Sequence, residues 1–249
     1  MRFGIIGGTG SADLLPAGEP LPFTAGPWGS PSASPLRARA GAHEVLFLPR
    51  HGPAGGPVIP PHRVNYRANL WLLRELGVDH VVGVNAVGGI SPGTTPGRLV
   101  IPHQLIDYTW GREHTYTGDA RFPLAHVDFT APFSAPLRDS LLKVARELGL
   151  GALEEGVYGA TQGPRLESAA EIDRLERDGC DIVGMTGMPE AGLARELGLS
   201  YALCCVVVNR AAGRGPPGET IHDQMAAGLG AGMASAGRLL RGLLASTPD

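Results

Sequence analysis

A glycine-rich turn stands directly after the first apolar segment of the sequence. Gly7-Gly8-Thr9-Gly10 follows Phe3–Ile6. Glycines let backbone N–H groups turn toward an anion, and the Thr9 hydroxyl adds a further donor. The spacing is not G-x-G-x-x-G, and no acidic residue stands about 20 positions further on to hold a ribose. A phosphate site, the start of a dinucleotide-binding unit and a plain tight turn therefore all remain open for this segment.

Arg50 and His51 follow the second apolar segment, Val45–Leu48. A guanidinium can bind a phosphate through two parallel hydrogen bonds, and the neighbouring imidazole offers another donor. Taken alone, each residue is also typical of a solvated loop. Their position after a strand makes both of them candidates for anion binding.

Three later polar groups stand at comparable positions. They are Asn85-Ala86 after His80–Val84, Met185-Thr186 after Asp181–Gly184, and Asn209 after Tyr201–Val208. Taken alone, each fits a turn or a core position, but ligands of open α/β sheets bind outside the carboxyl ends of the strands. The motifs of serine hydrolases, zinc proteases and Walker-type proteins are missing from the sequence, and Lys143 is its only lysine. Anion donors without a nucleophile suit chemistry in which a bound phosphate attacks.

Short apolar segments alternate with helical patterns along the chain. The predicted strands are Phe3–Ile6, Val45–Leu48, His80–Val84, Val157–Ala160, Asp181–Gly184 and Tyr201–Val208. Apolar residues at helical spacing occur within 64–76, 137–148, 172–175, 193–197 and 221–244, and Ser168 with Glu171 forms a capping-box pattern. This alternation predicts an α/β fold with a mostly parallel, twisted central sheet and helices on both faces. We expect residues 1–249 to form a single domain.

Charge and cysteine content exclude several classes of protein. With 43% hydrophobic and 18% charged residues and a net charge of −3, the chain has neither a disordered composition nor the basic charge that nucleic-acid binding needs. No apolar run is long enough to span a membrane. The three cysteines lack C-x-x-C spacing, so we expect no zinc or disulfide framework and a cytoplasmic location.

The segments Ala25–Pro35 and Gly213–Gly218 are candidates for mobile loops at the border of a site.

Six segments together carry a resemblance to a known family. They are Gly7-Gly8-Thr9-Gly10, Pro49-Arg50-His51-Gly52, Val64-Asn65-Tyr66-Arg67-Ala68-Asn69-Leu70-Trp71, Asn85-Ala86-Val87-Gly88-Gly89, Gly163-Pro164-Arg165 and Met185-Thr186. In this order they resemble the trimeric purine nucleoside phosphorylases, specifically the methylthionucleoside branch. The resemblance extends from residue 2 to about residue 210.

This resemblance implies phosphorolysis, in which a purine nucleoside and inorganic phosphate give a free purine and a pentose 1-phosphate without metal or organic cofactor. The residues that would bind phosphate are Thr9, Arg50, His51, Asn85, Ala86 and Thr186. Met185 would lie under the ribose, and Tyr66 would lie near its hydroxyls. The family also implies a homotrimer, in which His126 would reach into the site of a neighbouring subunit. His51 and Asn209 would be the catalytic residues, with Asn209 as the donor to purine N7.

Two positions favour a 6-oxopurine over adenine. Asn209 stands where adenine-cleaving relatives have an aspartate, and an amide can both donate and accept hydrogen bonds. Glu167 matches a glutamate of the 6-oxopurine branch, where its carboxylate would accept the N1–H that adenine lacks. An ordinary carboxylate in the first turn of a helix remains the alternative for Glu167.

The 5′ end of the substrate depends on residues near the start of the last helix. Ile221 and Met225 would give apolar walls suited to a methylthio group, whereas His222 or Asp223 would suit a free hydroxyl. The match favours S-methyl-5′-thioinosine as substrate, with hypoxanthine and 5-methylthioribose 1-phosphate as products of purine salvage. The alternatives are a general inosine/guanosine phosphorylase, a methylthioadenosine phosphorylase, a nucleotide-dependent oxidoreductase and a purine-binding protein without activity.

Overall fold

A computed structural model of the protein describes residues 2–11, 14, 18–40 and 43–246. Within these residues ten strands form one mixed sheet. They are β1 (Phe3–Gly7), β2 (Glu19–Pro20), β3 (Leu36–Ala40), β4 (His43–Pro49), β5 (His80–Gly89), β6 (Leu99–Val100), β7 (Gln104–Asp107), β8 (Val157–Ala160), β9 (Ile182–Gly184) and β10 (Ser200–Arg210). The strand order is β2-β3-β4-β1-β5-β9-β8-β7, with β10 beside β5 and β6 beside β10.

All six predicted strands are present, and the prediction of a mostly parallel sheet is confirmed. Strand β1 lies parallel to both β4 and β5, and β5 lies parallel to β10. The strands that the sequence analysis missed are β2, β3, β6 and β7. Two of them have only two residues, and β3 carries arginines at alternate positions, so none forms a continuous apolar segment.

Five α-helices cover the two faces of the sheet. They are α1 (Tyr66–Glu75), α2 (Ala135–Glu147), α3 (Ala169–Arg177), α4 (Gly187–Glu196) and α5 (Ile221–Ser246), and a short 3-10 turn spans Pro61–Arg63. The core on one face contains apolar residues of α2 and α5, and the core on the other contains those of α1 and α4. The predicted capping box is present, because Ser168 and Glu171 exchange hydrogen bonds at the start of α3.

Two glycines of the last helix stand where a larger residue would not fit. A Cβ atom on Gly232 would lie 2.3 Å from a methyl carbon of Val206, and one on Gly228 would lie 2.5 Å from the Val208 carbonyl oxygen. Both positions therefore let α5 approach the backbone of β10 closely. This contact places the first turn of α5 beside the carboxyl end of β10.

Candidate active site

A cavity of about 570 Å³ opens at the carboxyl ends of the central strands. Most of the site residues predicted from the sequence line it: Thr9, Arg50, His51, Asn85, Ala86, Glu167, Met185, Thr186, Asn209, Ile221 and Met225. Strands β1, β4, β5 and β10 run parallel and end at the same edge, so residues from distant parts of the chain meet there.

Asn85 and Asn209 lie inside longer strands rather than after them, which corrects the predicted strand ends. Strand β5 continues to Gly89 and β10 to Arg210, because the two strands pair with each other beyond the end of β1. A bulge at Val208 shifts the register, so that Asn209 pairs with Gly88. A Cβ atom on Gly88 would lie 3.2 Å from a methyl carbon of Val183 and 3.4 Å from Asn209 Nδ2, so the glycine lies in contact distance of both.

Arg50 is fully buried and forms a two-point ion pair with Glu190, which is also fully buried. Its Nε and Nη2 donate to the two Glu190 carboxylate oxygens at 2.9 and 2.8 Å. Burial by itself lowers the pKa of Arg50, but the Glu190 carboxylate more than offsets this and raises the pKa above its ordinary value. Arg50 is therefore a permanent cation in the cavity wall.

The remaining Arg50 donors are nearly all in use. Nη1 donates to the Val84 carbonyl at 3.1 Å, and Nη2 donates to the Ile6 carbonyl at 3.3 Å. A guanidinium has five N–H groups, and these contacts use four of them. One Nη1 proton forms no hydrogen bond with the described residues. The side chain is therefore held rigidly in the cavity wall, with no exposed surface of its own.

Glu190 was missed by the sequence analysis, although its spacing carried a signal. It lies three residues before Leu193 and seven before Leu197, so an acidic residue occupies the buried face of α4. Tyr201 donates its hydroxyl proton to Glu190 Oε1 at 2.7 Å, which satisfies a further lone pair of the carboxylate.

His51 is held in one tautomer by the backbone. Its Nδ1 lies 2.8 Å from the Ile59 carbonyl oxygen, which can only accept, so Nδ1 carries the proton. Burial and the neighbouring Arg50 charge lower the pKa of His51, outweighing the Ile59 carbonyl and Glu190, which raise it. The ring is therefore neutral at pH 7, and Nε2 carries a lone pair.

A glycine- and proline-rich loop forms one wall of the cavity, and the sequence analysis assigned it no role. The lining residues of this loop are Gly52, Pro53, Ala54, Gly55, Gly56, Val58, Ile59, Pro60 and Pro61. Its base is closed by hydrogen bonds in both directions between His51 and Ile59. Its composition, directly after Arg50-His51, was the available signal.

A buried tyrosine connects two of the predicted phosphate-binding residues. Tyr158 Oη accepts from the backbone N–H groups of Thr186 and Gly187, both at 3.3 Å, and these occupy its two lone pairs. Burial raises the pKa of Tyr158 to about 12, so the hydroxyl keeps its proton. The amide of Asn85 lies 3.3 Å from the same hydroxyl.

Asn85 Nδ2 faces the Tyr158 hydroxyl at 3.3 Å, and its Oδ1 is buried without a hydrogen-bond partner among the described residues. Because the two lone pairs of Tyr158 already accept the N–H groups of Thr186 and Gly187, a half-turn of the amide would let Oδ1 accept the Tyr158 proton instead. The Nδ2 protons would then be left for another acceptor.

Asn209 and Glu167 line the cavity and are each oriented by a hydrogen bond. Asn209 Nδ2 donates one proton to the Arg210 carbonyl at 2.7 Å and keeps the other. The Thr161 hydroxyl donates to Glu167 Oε1 at 2.6 Å, which leaves Oε2 free. The amide thus retains one donor and the carboxylate one acceptor oxygen.

At the start of α5 the apolar residues line the cavity and the polar residues do not. Ile221 and Met225 are lining residues, one turn of helix apart. His222 and Asp223 are exposed, and the Asp223 carboxylate accepts the Thr220 hydroxyl proton at 2.6 Å.

The structure does not bring Tyr66 or His126 to this cavity. Tyr66 is buried, donates its hydroxyl proton to the Pro61 carbonyl and lies beside Arg112. His126 is exposed, and its predicted contact with a neighbouring subunit stays a prediction.

Neither of the two loops expected to border the site lines the cavity, although Gly213–Gly218 lies between the lining residues Ala212 and Ile221 in the chain. The segment Ala25–Pro35 is tied to α1, because Asn65 and Asn69 form hydrogen bonds with residues 28–32. In the segment Gly213–Gly218, Arg214 forms ion pairs with Asp173 and Glu176 of α3.

Three further properties of the described residues bear on the site. They contain no group of three or more His, Cys, Asp or Glu side chains that could hold a metal ion. None of their helices is long and apolar enough to cross a membrane. The three cysteines are buried and free.

A sequence model described as the phosphorylase superfamily matches residues 2–245. The chain belongs to this superfamily. It is 47% identical over 243 residues to a Pseudomonas syringae protein named "Probable S-methyl-5'-thioinosine phosphorylase". That alignment covers 96% of this chain and 98% of the relative. It is 43% identical over 217 residues to the "6-oxopurine nucleoside phosphorylase" of Pyrococcus furiosus, covering 85% of this chain and 80% of the relative.

A solved member of the superfamily has the same fold. Methylthioadenosine phosphorylase from Schistosoma mansoni, in complex with adenine, superposes with a TM-score of 0.91 at 31% identity. The alignment covers 98% of this chain and 91% of that one. Relatives with this fold therefore have names that mention different purines.

Proposed function

We propose that the protein catalyses phosphorolysis of S-methyl-5′-thioinosine, giving hypoxanthine and 5-methylthioribose 1-phosphate. One observation carries this proposal. A single cavity is lined by the candidate anion donors, by Asn209 and Glu167, and by the apolar residues Ile221 and Met225 at the start of α5. The names of the relatives support the same reaction class. Phosphate is a co-substrate, and no cofactor is required.

Phosphate is the nucleophile in the proposed reaction. One of its oxygens forms a bond to C1′ while the C1′–N9 bond breaks and the electron pair of that bond passes to the purine. Arg50, Asn85, Thr186 and the Thr9 hydroxyl would hold the phosphate in position, so that attack becomes effectively unimolecular. The neutral His51 presents the Nε2 lone pair, which suits the O–H of a monoprotonated phosphate.

The leaving purine gains negative charge, and Asn209 would stabilise it. The one N–H of Asn209 that Arg210 leaves unused can donate toward N7 and O6, which are both acceptors in a 6-oxopurine. Adenine also presents N7 as an acceptor, so this N–H by itself does not distinguish the two purines. The free Glu167 oxygen can accept N1–H, which hypoxanthine has and adenine lacks. Glu167 is therefore the residue that favours hypoxanthine over adenine.

The 5′ substituent would lie against α5. Ile221 and Met225 present apolar surface there, whereas His222 and Asp223 point away from the cavity lining. A methylthio group loses no hydrogen bond on entering such a wall, but a hydroxyl loses its hydration. This contrast favours the methylthio substrate over inosine.

Assembly, location and domain organisation are part of the same proposal. We propose a homotrimeric cytoplasmic enzyme in which residues 1–249 form one domain and His126 completes the site of a neighbouring subunit. The match of the superfamily over residues 2–245 supports a single domain, and the exposed position of His126 leaves it accessible to a partner.

A comparison of three substrates tests the proposal. Release of free base is measured with S-methyl-5′-thioinosine, inosine and S-methyl-5′-thioadenosine, each with and without phosphate. We expect phosphate-dependent release of hypoxanthine with the highest kcat/KM for methylthioinosine. A preference for inosine would contradict the 5′ assignment, and a preference for methylthioadenosine would contradict the roles of Asn209 and Glu167. Thermal stabilisation by NAD(P) without phosphate-dependent turnover would instead identify an oxidoreductase.

A further inference from the structure

Arg112 is a buried cation in the loop after β7, with only 8% of its surface exposed. Its guanidinium donates to four backbone carbonyl oxygens, those of Thr161, Gln162, Met185 and Met188, at 3.1, 2.8, 2.8 and 2.6 Å. Its Nε also donates to the Gln162 side-chain oxygen at 3.2 Å, which brings all five N–H groups into use, and the Tyr66 hydroxyl lies 3.3 Å from Nη1. None of these acceptors is a carboxylate. A buried arginine without an acidic partner is uncommon and calls for another explanation.

The backbone acceptors belong to two segments, each of which contains or leads to a residue of the cavity lining. Thr161 and Gln162 begin the segment that leads to Glu167, and the Thr161 hydroxyl itself orients the Glu167 carboxylate. Met185 and Met188 flank Thr186, one of the proposed phosphate-binding residues. Arg112 therefore connects the backbone at the purine end of the site to the backbone at the phosphate end.

We propose that Arg112 is a positioning residue that sets the distance between the purine-binding and phosphate-binding ends of the site. This inference rests on the proposed function. The planar guanidinium carries five N–H groups in a rigid fork, so it can hold both loops at one separation. Phosphate must lie within about 3–3.5 Å of C1′ for attack, and a displacement of about 1 Å can reduce the rate by about 100-fold.

A positioning residue of this kind increases kcat rather than the affinity for either substrate. Each segment still carries its own binding groups when Arg112 is replaced. The two segments, however, no longer hold the phosphate oxygen at the distance from C1′ that attack requires. An interaction that acts mainly in the transition state lowers kcat and kcat/KM together. Lysine keeps the charge but cannot bridge the two loops, because its ammonium has three donors at a single point.

The test compares Arg112→Lys and Arg112→Met with Arg138→Met. Arg138 also donates to backbone carbonyls, those of Ile101 and Glu154, but these carbonyls lie outside the segments that carry the proposed binding residues, so it is a matched control. Rates are divided by the number of sites that bind hypoxanthine in titration calorimetry, which removes the contribution of misfolded protein. In both Arg112 variants we expect kcat per binding site to fall by about 100-fold. The KM values should change by less than about threefold, and Arg138→Met should retain the wild-type kcat.

A second measurement separates positioning from charge and from general stability. Added guanidinium ion should restore part of the activity of Arg112→Met, whereas ammonium ion should not. Full activity per binding site in Arg112→Met would overturn the inference, as would full activity in Arg112→Lys, since charge alone would then suffice. A wild-type enzyme that releases no hypoxanthine would contradict the proposed function itself, and an active wild type with unaffected variants would contradict only the role of Arg112.

Discussion

Arg50 and Glu190 face each other at the base of the cavity as a two-point ion pair, with Nε–Oε2 and Nη2–Oε1 distances of 2.9 and 2.8 Å and no exposed surface on either side chain. The pair joins the loop after β4 to the first turn of α4. Together with the Val84 and Ile6 carbonyls, it leaves one Nη1 proton of Arg50 without an acceptor among the described residues. A buried pair of this kind is sensitive to loss of one member, because the other is left as an unpaired charge.

Glu190→Gln should therefore be strongly destabilising and should weaken phosphate binding. Removing one member of a buried ion pair costs about 3–5 kcal/mol. Urea unfolding and the phosphate KM measure the two effects. Glu154→Gln is the matched control, because its ion pair with Arg146 is exposed to solvent and contributes little to stability. Equal destabilisation by the two substitutions would contradict the importance of the buried pair.

Tyr158→Phe should raise the phosphate KM more than the nucleoside KM. The substitution leaves the N–H groups of Thr186 and Gly187 without an acceptor and releases the Asn85 amide. Each buried group left unpaired costs about 1–3 kcal/mol, so the free energy of unfolding should also fall. Initial rates at varied phosphate measure the effect on binding. Tyr116→Phe removes a buried hydroxyl that donates to the Arg67 carbonyl outside the cavity, and it should leave the phosphate KM unchanged.

Asn209→Asp should shift the preference from hypoxanthine nucleosides toward adenine nucleosides. The carboxylate can accept from the 6-amino group, but it loses the donor to N7 and the hydrogen bond to the Arg210 carbonyl. We expect the ratio of kcat/KM values for methylthioinosine and methylthioadenosine to fall by about tenfold or more, with a lower overall rate. Asn65→Asp makes the same chemical change outside the cavity and should leave the ratio unchanged. An unchanged ratio in Asn209→Asp would rule out its proposed role.

The free energy of unfolding should decrease as the pH falls below about 6.5, the ordinary pKa of histidine. Burial and the Arg50 charge lower the pKa of His51 in the folded protein. Below the unfolded pKa, the unfolded chain then binds more protons than the folded one, so acid favours unfolding and the stabilisation is present above that pH. His51→Gln should reduce this dependence between pH 7 and pH 5 in urea titrations. His80→Gln provides a comparison, because burial also lowers the pKa of His80, which lies outside the cavity.

Much of the fold and most of the cavity lining could be predicted from the sequence. The six central strands are nearly continuous apolar segments, because they are buried on both faces, and the polar groups at their carboxyl ends are therefore conspicuous. Local patterns of this kind identified Arg50, His51, Thr186 and Asn209 without any knowledge of their partners. The capping box at Ser168 was equally local, since both of its hydrogen bonds lie within four residues.

The contacts that hold these side chains in place depended on the tertiary structure alone. Glu190 lies 140 residues from Arg50, and Arg112 lies 73 residues from Met185, so no spacing in the sequence connects them. The apolar or polar character of the wall beside α5 was also undecided until the phase of the helix placed Ile221 and Met225 on the cavity side. Sequence patterns indicate which residues are suited to the core and which to ligand binding, because that depends on the chemistry of each side chain. Hydrogen-bond geometry between distant segments depends on how the chain packs, and only the folded structure determines it.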